Sequence, residues 1–138
     1  MSAGADAPRS GNGPARRALG VVAWLVPAGV FAQAVLAGQG WFVDQGLISL
    51  HGGVGHGVLA LAVLTAGLAW WLRPSWAVVA LASLSLVGLI GQTGLGYAGR
   101  RSGLALASSL HIPLGTALLA STLVVAVLLV VGGDRSRR

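Results

Sequence analysis

Residues 47–72 read LISLHGGVGHGVLALAVLTAGLAWWL, an apolar stretch without a single Asp, Glu, Lys or Arg. A helix of about 20 apolar residues crosses the hydrocarbon layer of a membrane. Three other stretches have the same character, and together they predict four transmembrane helices over residues 18–37, 47–72, 76–98 and 104–131. We therefore expect an all-α integral membrane protein, a four-transmembrane-helix bundle in contact with the lipid bilayer.

The composition agrees with this expectation and excludes several function classes. Only 9% of the 138 residues are charged, whereas about a quarter of the residues of a soluble domain are. The chain has no Cys, so disulfides and iron–sulfur clusters are excluded. The net charge of +6 comes from arginines that flank the apolar stretches. No basic helix interleaved with aromatic residues is present, so we expect no nucleic-acid partner.

The segments around the apolar stretches define the domain organisation. The Gly-, Ala-, Pro- and Ser-rich start of the chain predicts a disordered tail. An alternative is that the Arg-Arg pair before the first stretch opens a signal peptide cleaved at residues 32–34, although the stretch is long for one. The predicted parts are a disordered cytoplasmic tail over 1–15, a four-helix transmembrane domain over 16–132 and a basic cytoplasmic tail over 133–138.

The distribution of arginines predicts the orientation. With the N-terminus inside, seven arginines face the cytoplasm and only Arg100 and Arg101 lie outside, as the preference of positive charge for the cytoplasmic side requires. Both termini are therefore expected in the cytoplasm. The absence of Lys beside abundant Arg, Ala and Gly is typical of a GC-rich bacterial genome, and hence indicates a bacterial plasma membrane.

The second and fourth apolar stretches contain an internal repeat. Residues 49–60 (SLHGGVGHGVLA) and 109–120 (SLHIPLGTALLA) are identical at six of twelve positions at an offset of 60. The first and third stretches match at an offset of 59, with Gln33 corresponding to Gln92. The sequence thus predicts two parallel helix-pair repeats related by an axis along the membrane normal. This axis places His51 and His111 at equivalent depths.

Paired intramembrane histidines suggest a metal centre. Ionisable residues inside a membrane are costly and commonly functional, and imidazole is the commonest metal ligand. We therefore interpret His51 and His111 as two ligands of one metal. Two alternatives stay open: both histidines form only interhelical hydrogen bonds, or His56, about 140° around the helix from His51, is the ligand in its place.

The residue types favour haem over zinc. A closed zinc site needs four protein ligands, whereas haem needs only axial ones. Gly55 and Gly115, each four residues after a histidine, are expected to leave a flat face for the macrocycle. The remaining expected cofactor-binding residues are two arginines that meet the haem propionates and two glutamines that hydrogen-bond a ligand or propionate, namely Arg100, Arg101, Gln33 and Gln92.

These motifs resemble one half of a known family. The order Gln-x-x-Leu-Ala, Leu-His-x-x-x-Gly, Gln-x-x-Leu-Gly and Leu-His is similar to one four-helix half of the haem A synthase family, and to small bacterial membrane proteins built as a single half. The resemblance covers about residues 17–129 and implies bis-histidine haem binding by His51 and His111. The family typically has a glutamate three positions before its first histidine and an arginine after it, where this chain has Ile48 and Gly52.

The expected function follows from these residues. We expect a membrane b-type cytochrome-like protein that binds haem b between helices 2 and 4, for electron transfer or haem handling, with no catalysis of its own. A membrane protein, a second copy of the chain or a quinone is the expected partner. The alternative is a non-catalytic accessory subunit of a larger membrane complex whose histidines only pack. A transporter is less favoured because the apolar stretches hold no Asp or Glu to couple protons.

Overall fold

A computed structural model of the protein describes residues 13–135, with side chains as far as Gly132. The described chain forms four α-helices: α1 (Gly13–Phe42), α2 (Gly46–Leu72), α3 (Trp76–Ser102) and α4 (Ala105–Arg135). Each helix is long and apolar enough to cross a membrane. The chain is therefore a multi-pass membrane protein whose four spans pack as one bundle in contact with lipid.

The helices run alternately up and down around the bundle. The helix pairs α1–α2 and α3–α4 pack most extensively, while the α1–α4 and α2–α3 seams are smaller. Helices α2 and α4 are diagonal to each other, and no Cα atoms of the two helices lie within 8 Å of each other. We call the end that carries the α1–α2 and α3–α4 connections the distal end. The α2–α3 turn, the start of α1 and the end of α4 lie at the opposite, proximal end.

Three of the helices are several residues longer than the sequence patterns predict, at both ends of the bundle. Helix α1 was expected over residues 18–37 but continues to Phe42, and α3 continues four residues past 98. Gly40 permits this extension because a Cβ there would lie 2.6 Å from Ile48 Cδ1 on α2. Residues 13–15, which we expected in a disordered tail, belong to α1. The rest of that tail and residues 136–138 lie outside the described residues.

The proximal turn is fixed by backbone and side-chain contacts. Arg73 adopts the left-handed conformation (φ 43°) that ends α2, and its N–H donates to Ala69 O at 2.9 Å. Ser75 caps α3 by accepting a hydrogen bond from the Val78 N–H at 3.2 Å. The Arg73 guanidinium lies 5.7 Å from the ring centre of Trp76. The turn therefore holds a cation and an aromatic ring together, as expected at a membrane interface.

Small residues bring the four helices together in the core. The proximal half of the core is built largely from alanines, with Ala69 and Ala126 fully buried. A stripe of small side chains allows close approach of backbones, which is the main source of packing energy between helices in lipid. A small central cavity is lined by Ala23, Val26, Ala62, Thr65, Ala82, Ser85, Thr122 and Val125. Its hydroxyl groups bond to nearby backbone or, for Ser85, to Ser121 Oγ at 3.0 Å.

Candidate functional site

The two histidines predicted as ligands meet across the bundle. His51 of α2 and His111 of α4 are both partly buried, and their ring centres lie 6.3 Å apart with an interplanar angle of 64°. The backbones of these diagonal helices remain apart, so long side chains are needed to cross the gap. The sequence pattern thus identified two imidazoles that the fold brings together.

Each histidine is held by a backbone carbonyl of the helix preceding it in the chain. His51 Nδ1 lies 2.9 Å from Gln33 O, and His111 Nδ1 lies 3.0 Å from Gln92 O. A carbonyl oxygen only accepts, so the proton of each neutral ring is on Nδ1. The lone pair is then on Nε2. This arrangement, in which a carbonyl fixes the tautomer of a histidine, is the one commonly found behind metal-ligating histidines.

The two glutamine side chains fill the space beside the glycines of α2 and α4. A Cβ at Gly55 would lie 3.2 Å from Gln33 Oε1, and one at Gly115 would lie 2.9 Å from Gln92 Nε2. We expected these glycines to leave open faces for a macrocycle, and that expectation was wrong. The cause is that both carboxamides lie against the glycines of the neighbouring helix, and that of Gln92 also donates to His111 O. A macrocycle on either glycine face would first have to displace a carboxamide.

The carboxamides leave polar atoms without partners. Gln92 Nε2 donates to His111 O at 2.9 Å, but Gln92 Oε1 is buried and makes no hydrogen bond among the described residues. Gln33 Nε2 is likewise buried and unbonded there. Such atoms cost free energy in an apolar interior. The site therefore presents one unused donor and one unused acceptor close to the two histidines.

The separation of the two ring centres leaves room for one metal atom between the histidines. With a metal–nitrogen bond of about 2.0 Å and about 1.1 Å from nitrogen to ring centre, two imidazoles on opposite sides of one metal have centres about 6.2 Å apart. The observed 6.3 Å agrees with that value. No group of three or more His, Cys, Asp or Glu side chains occurs within the described part of the chain. The described residues supply two ligands, so a metal here would take its remaining ligands from water or from a cofactor.

The other side chains considered for the site are the two arginines near the distal end of α3 and His56. Arg101 places its guanidinium 4.9 Å from the ring centre of Tyr97, and Arg100 is exposed. Among the described residues neither arginine has a hydrogen bond or aromatic contact with His51 or His111, and their role in meeting haem propionates stays a prediction. His56 is exposed on the outside of the bundle, and its Nε2 lies 3.0 Å from the Tyr97 hydroxyl. His56 is thus separate from the inner pair.

One residue at the inner site was missed from the sequence. A Cβ at Gly96 would lie 3.1 Å from Cε1 of His111, so the imidazole packs directly on the α3 backbone. The sequence signal that could have identified Gly96 is its position one helical turn after Gln92, in Gln92-Thr93-Gly94-Leu95-Gly96. A larger residue there would push the ring away from its carbonyl partner.

Comparisons of the chain with protein-family models, curated proteins and solved structures gave no match. The residues of the chain themselves show a four-span membrane bundle with a pair of carbonyl-anchored histidines between diagonal helices.

Proposed function

We propose that this chain is a membrane b-type cytochrome-like protein in which His51 and His111 are the axial ligands of one haem. The observation that carries the proposal is the matched anchoring of the two rings. Each Nδ1 is bonded to a carbonyl, which leaves both Nε2 atoms as ligands, and the ring spacing suits one iron atom. Two histidines are the ligand set that haem needs. The glutamine side chains beside Gly55 and Gly115 would have to move to make room for the macrocycle.

We infer in addition that the bundle is two parallel copies of a helix pair. At the offsets of 59 and 60, the close approach of Gly29 to Val58 corresponds to that of Gly88 to Leu118, and the two histidine–carbonyl bonds correspond in the same way. The central cavity supports this inference. Its lining residues form four corresponding pairs, Ala23 with Ala82, Val26 with Ser85, Ala62 with Thr122, and Thr65 with Val125.

The function proposed for this site is electron transfer or haem handling. A bound haem would supply one-electron chemistry, exchanged with a membrane protein, a second copy of the chain or a quinone. The residues of the chain fix the tautomer and orientation of the ligands and keep them in an apolar bundle. Oxidation of a haem substituent is not proposed, because Ile48 and Gly52 stand where the resembling family has its characteristic glutamate and arginine.

A visible spectrum of ligand variants tests the proposal. Purified protein, supplied with haem if it is isolated without it, should give a low-spin spectrum with a sharp Soret band. His51→Ala and His111→Ala should each abolish that spectrum, because iron that loses one axial imidazole becomes five-coordinate or takes water. His56→Ala is the matched control and should keep it. If His56→Ala loses the low-spin spectrum and His51→Ala retains it, our assignment of His51 as a ligand is wrong.

A second candidate is a non-catalytic accessory subunit whose histidines only pack. It is favoured by the carboxamides that already fill the spaces beside Gly55 and Gly115. Under this hypothesis, haem added to the wild-type protein gives no low-spin spectrum, and His51→Ala only lowers the stability of the bundle. The spectrum of the wild-type protein therefore separates the two candidates.

A further inference from the structure

A polar cluster lies on the lipid-facing outside of the bundle, at the α2–α3 seam. It consists of His56, Tyr97 and Arg101, all exposed, and we call it the lateral cluster. His56 Nε2 is 3.0 Å from the Tyr97 hydroxyl, and the Arg101 guanidinium lies over the Tyr97 ring at 4.9 Å. His56 is ten residues from the start of α2, or about 15 Å along the helix. The cluster thus reaches from the distal end well into the span.

The geometry of the two helices explains how the side chains meet. Side chains on a helix lean towards its N-terminus. Helix α2 begins at the distal end, so His56 leans towards that end, while Tyr97 on the opposite-running α3 leans into the membrane. Arg101, one turn after Tyr97, follows the same direction. The Arg101 guanidinium therefore lies over the Tyr97 ring and does not extend straight into water.

The cluster contains donors for which residues 13–132 provide no acceptor. His56 and Tyr97 together carry two hydrogen-bonding protons, one on the ring and one on the hydroxyl. Their mutual bond uses one of them, so one donor is left whichever group donates. Arg101 adds its guanidinium donors and forms no salt bridge with the described acidic side chain, Asp44, which accepts from Gly46 N. Unused donors beside hydrocarbon are costly, so an acceptor group should meet them.

The seam on the opposite side of the bundle lacks all of these groups. At the offsets of 60 and 59, the positions that correspond to the lateral cluster are Thr116, Gly38 and Phe42. The cluster is therefore not required by helix packing, because the α1–α4 seam packs without it. Helix packing alone does not account for a positive charge and two hydrogen-bonding side chains on one seam only.

We propose that the lateral cluster binds the phosphate head group of an anionic phospholipid from the leaflet at the distal end. Arg101 matches the phosphate charge, and the spare donor of the His56–Tyr97 pair matches an ester or phosphate oxygen. Gly53 and Gly57, on either side of His56 along α2, are exposed with no atom within 4 Å of an added Cβ. They leave a smooth surface on which an acyl chain can lie. This site is independent of the proposed haem.

Lipid titration of the full chain in detergent micelles, followed by native mass spectrometry, tests the proposal. Wild-type protein should retain one phosphatidylglycerol at concentrations at which phosphatidylcholine does not bind. Arg101→Gln should weaken that binding about tenfold, as expected for loss of a charge-assisted hydrogen bond. The double variant His56→Leu with Tyr97→Phe should weaken it about threefold, because the spare donor of that pair is removed.

Arg73→Gln is the matched control, since Arg73 is also an arginine stacked on aromatic rings, but at the proximal end. It should bind phosphatidylglycerol as the wild type does. Equal binding of the two lipids by the wild type, or equal losses in Arg101→Gln and Arg73→Gln, would overturn the proposal. Displacement of the lipid by millimolar inorganic phosphate would overturn its assignment to a phospholipid. The midpoint of unfolding of each variant in mixed micelles of increasing SDS content verifies that the bundle is intact.

Discussion

The close contacts of two glycines predict a graded loss of stability on substitution by alanine. A Cβ at Gly29 would lie 2.6 Å from Val58 Cγ2, and one at Gly88 would lie 2.6 Å from Leu118 Cδ2. Ordinary carbon contacts are about 3.5–4.0 Å, so each methyl group must move by about 1 Å. Both partners are 4% exposed and have little free space around them. Overpacking of this kind costs about 1–3 kcal/mol.

The two substitutions should differ because their partners differ in stiffness. Val58 is branched at Cβ and cannot move its methyl without rotating χ1, which is strongly restricted in a helix. Leu118 can rotate its terminal methyl groups about χ2. We therefore expect Gly29→Ala to cost about 2–3 kcal/mol and Gly88→Ala about 1–2 kcal/mol. Gly67→Ala, where nothing lies within 4 Å of the added Cβ, is the control and should stay within about 0.5 kcal/mol.

The assay is unfolding in mixed micelles of increasing SDS content, with helix content followed by far-UV circular dichroism. The midpoint should fall in the order Gly67→Ala, Gly88→Ala, Gly29→Ala. A Gly29→Ala midpoint equal to that of Gly67→Ala would refute the close α1–α2 contact. A larger loss in Gly88→Ala than in Gly29→Ala would refute the argument from side-chain stiffness.

Four further results are expected. Gly115→Ala should displace the Gln92 carboxamide from its bond to the α4 backbone and cost about 0.6–1.7 kcal/mol in the same unfolding assay, while Gly57→Ala should be neutral. Ser85→Ala should cost about 0.6 kcal/mol by the same assay, since it removes one interhelical hydrogen bond. A reporter fused at Pro74 should lie in the cytoplasm with fusions at both chain ends, and a periplasmic Pro74 would reverse the orientation. Haem extracted from the purified protein should be unmodified protohaem by mass spectrometry. A hydroxylated or formylated haem would contradict our proposal that the chain binds haem without oxidising it.

Much of the fold was predictable because lipid imposes simple rules. A backbone in hydrocarbon must satisfy its own hydrogen bonds, so four long apolar stretches had to be four helices. The helix ends were harder to predict. Helix 1 was predicted to end at residue 37, whereas the helix continues past Gly40, which packs closely against Ile48. Sequence alone does not distinguish a glycine that ends a helix from one that admits a neighbour.

The candidate site was predicted in part. The spacing of His51 and His111 predicted their meeting, because depth along a helix follows directly from residue number. The direction of the Gln33 side chain, and hence the filling of the space beside Gly55, depends on rotamers and on the distance between helices. The pairing of His56 with Tyr97 depends in the same way on the α2–α3 seam. These features follow from three-dimensional packing and have no periodic signal.

The unequal seams of the bundle bear on how the chain enters the membrane. Because each helix packs most extensively on its partner within α1–α2 or α3–α4, each pair can insert as a hairpin before the two hairpins join. The chain should then tolerate a break in the exposed turn that ends at Ser75. Two separately expressed pieces, cut at that turn, should recombine in the bilayer. The histidine pair, which needs both hairpins, would form only at that last joining step.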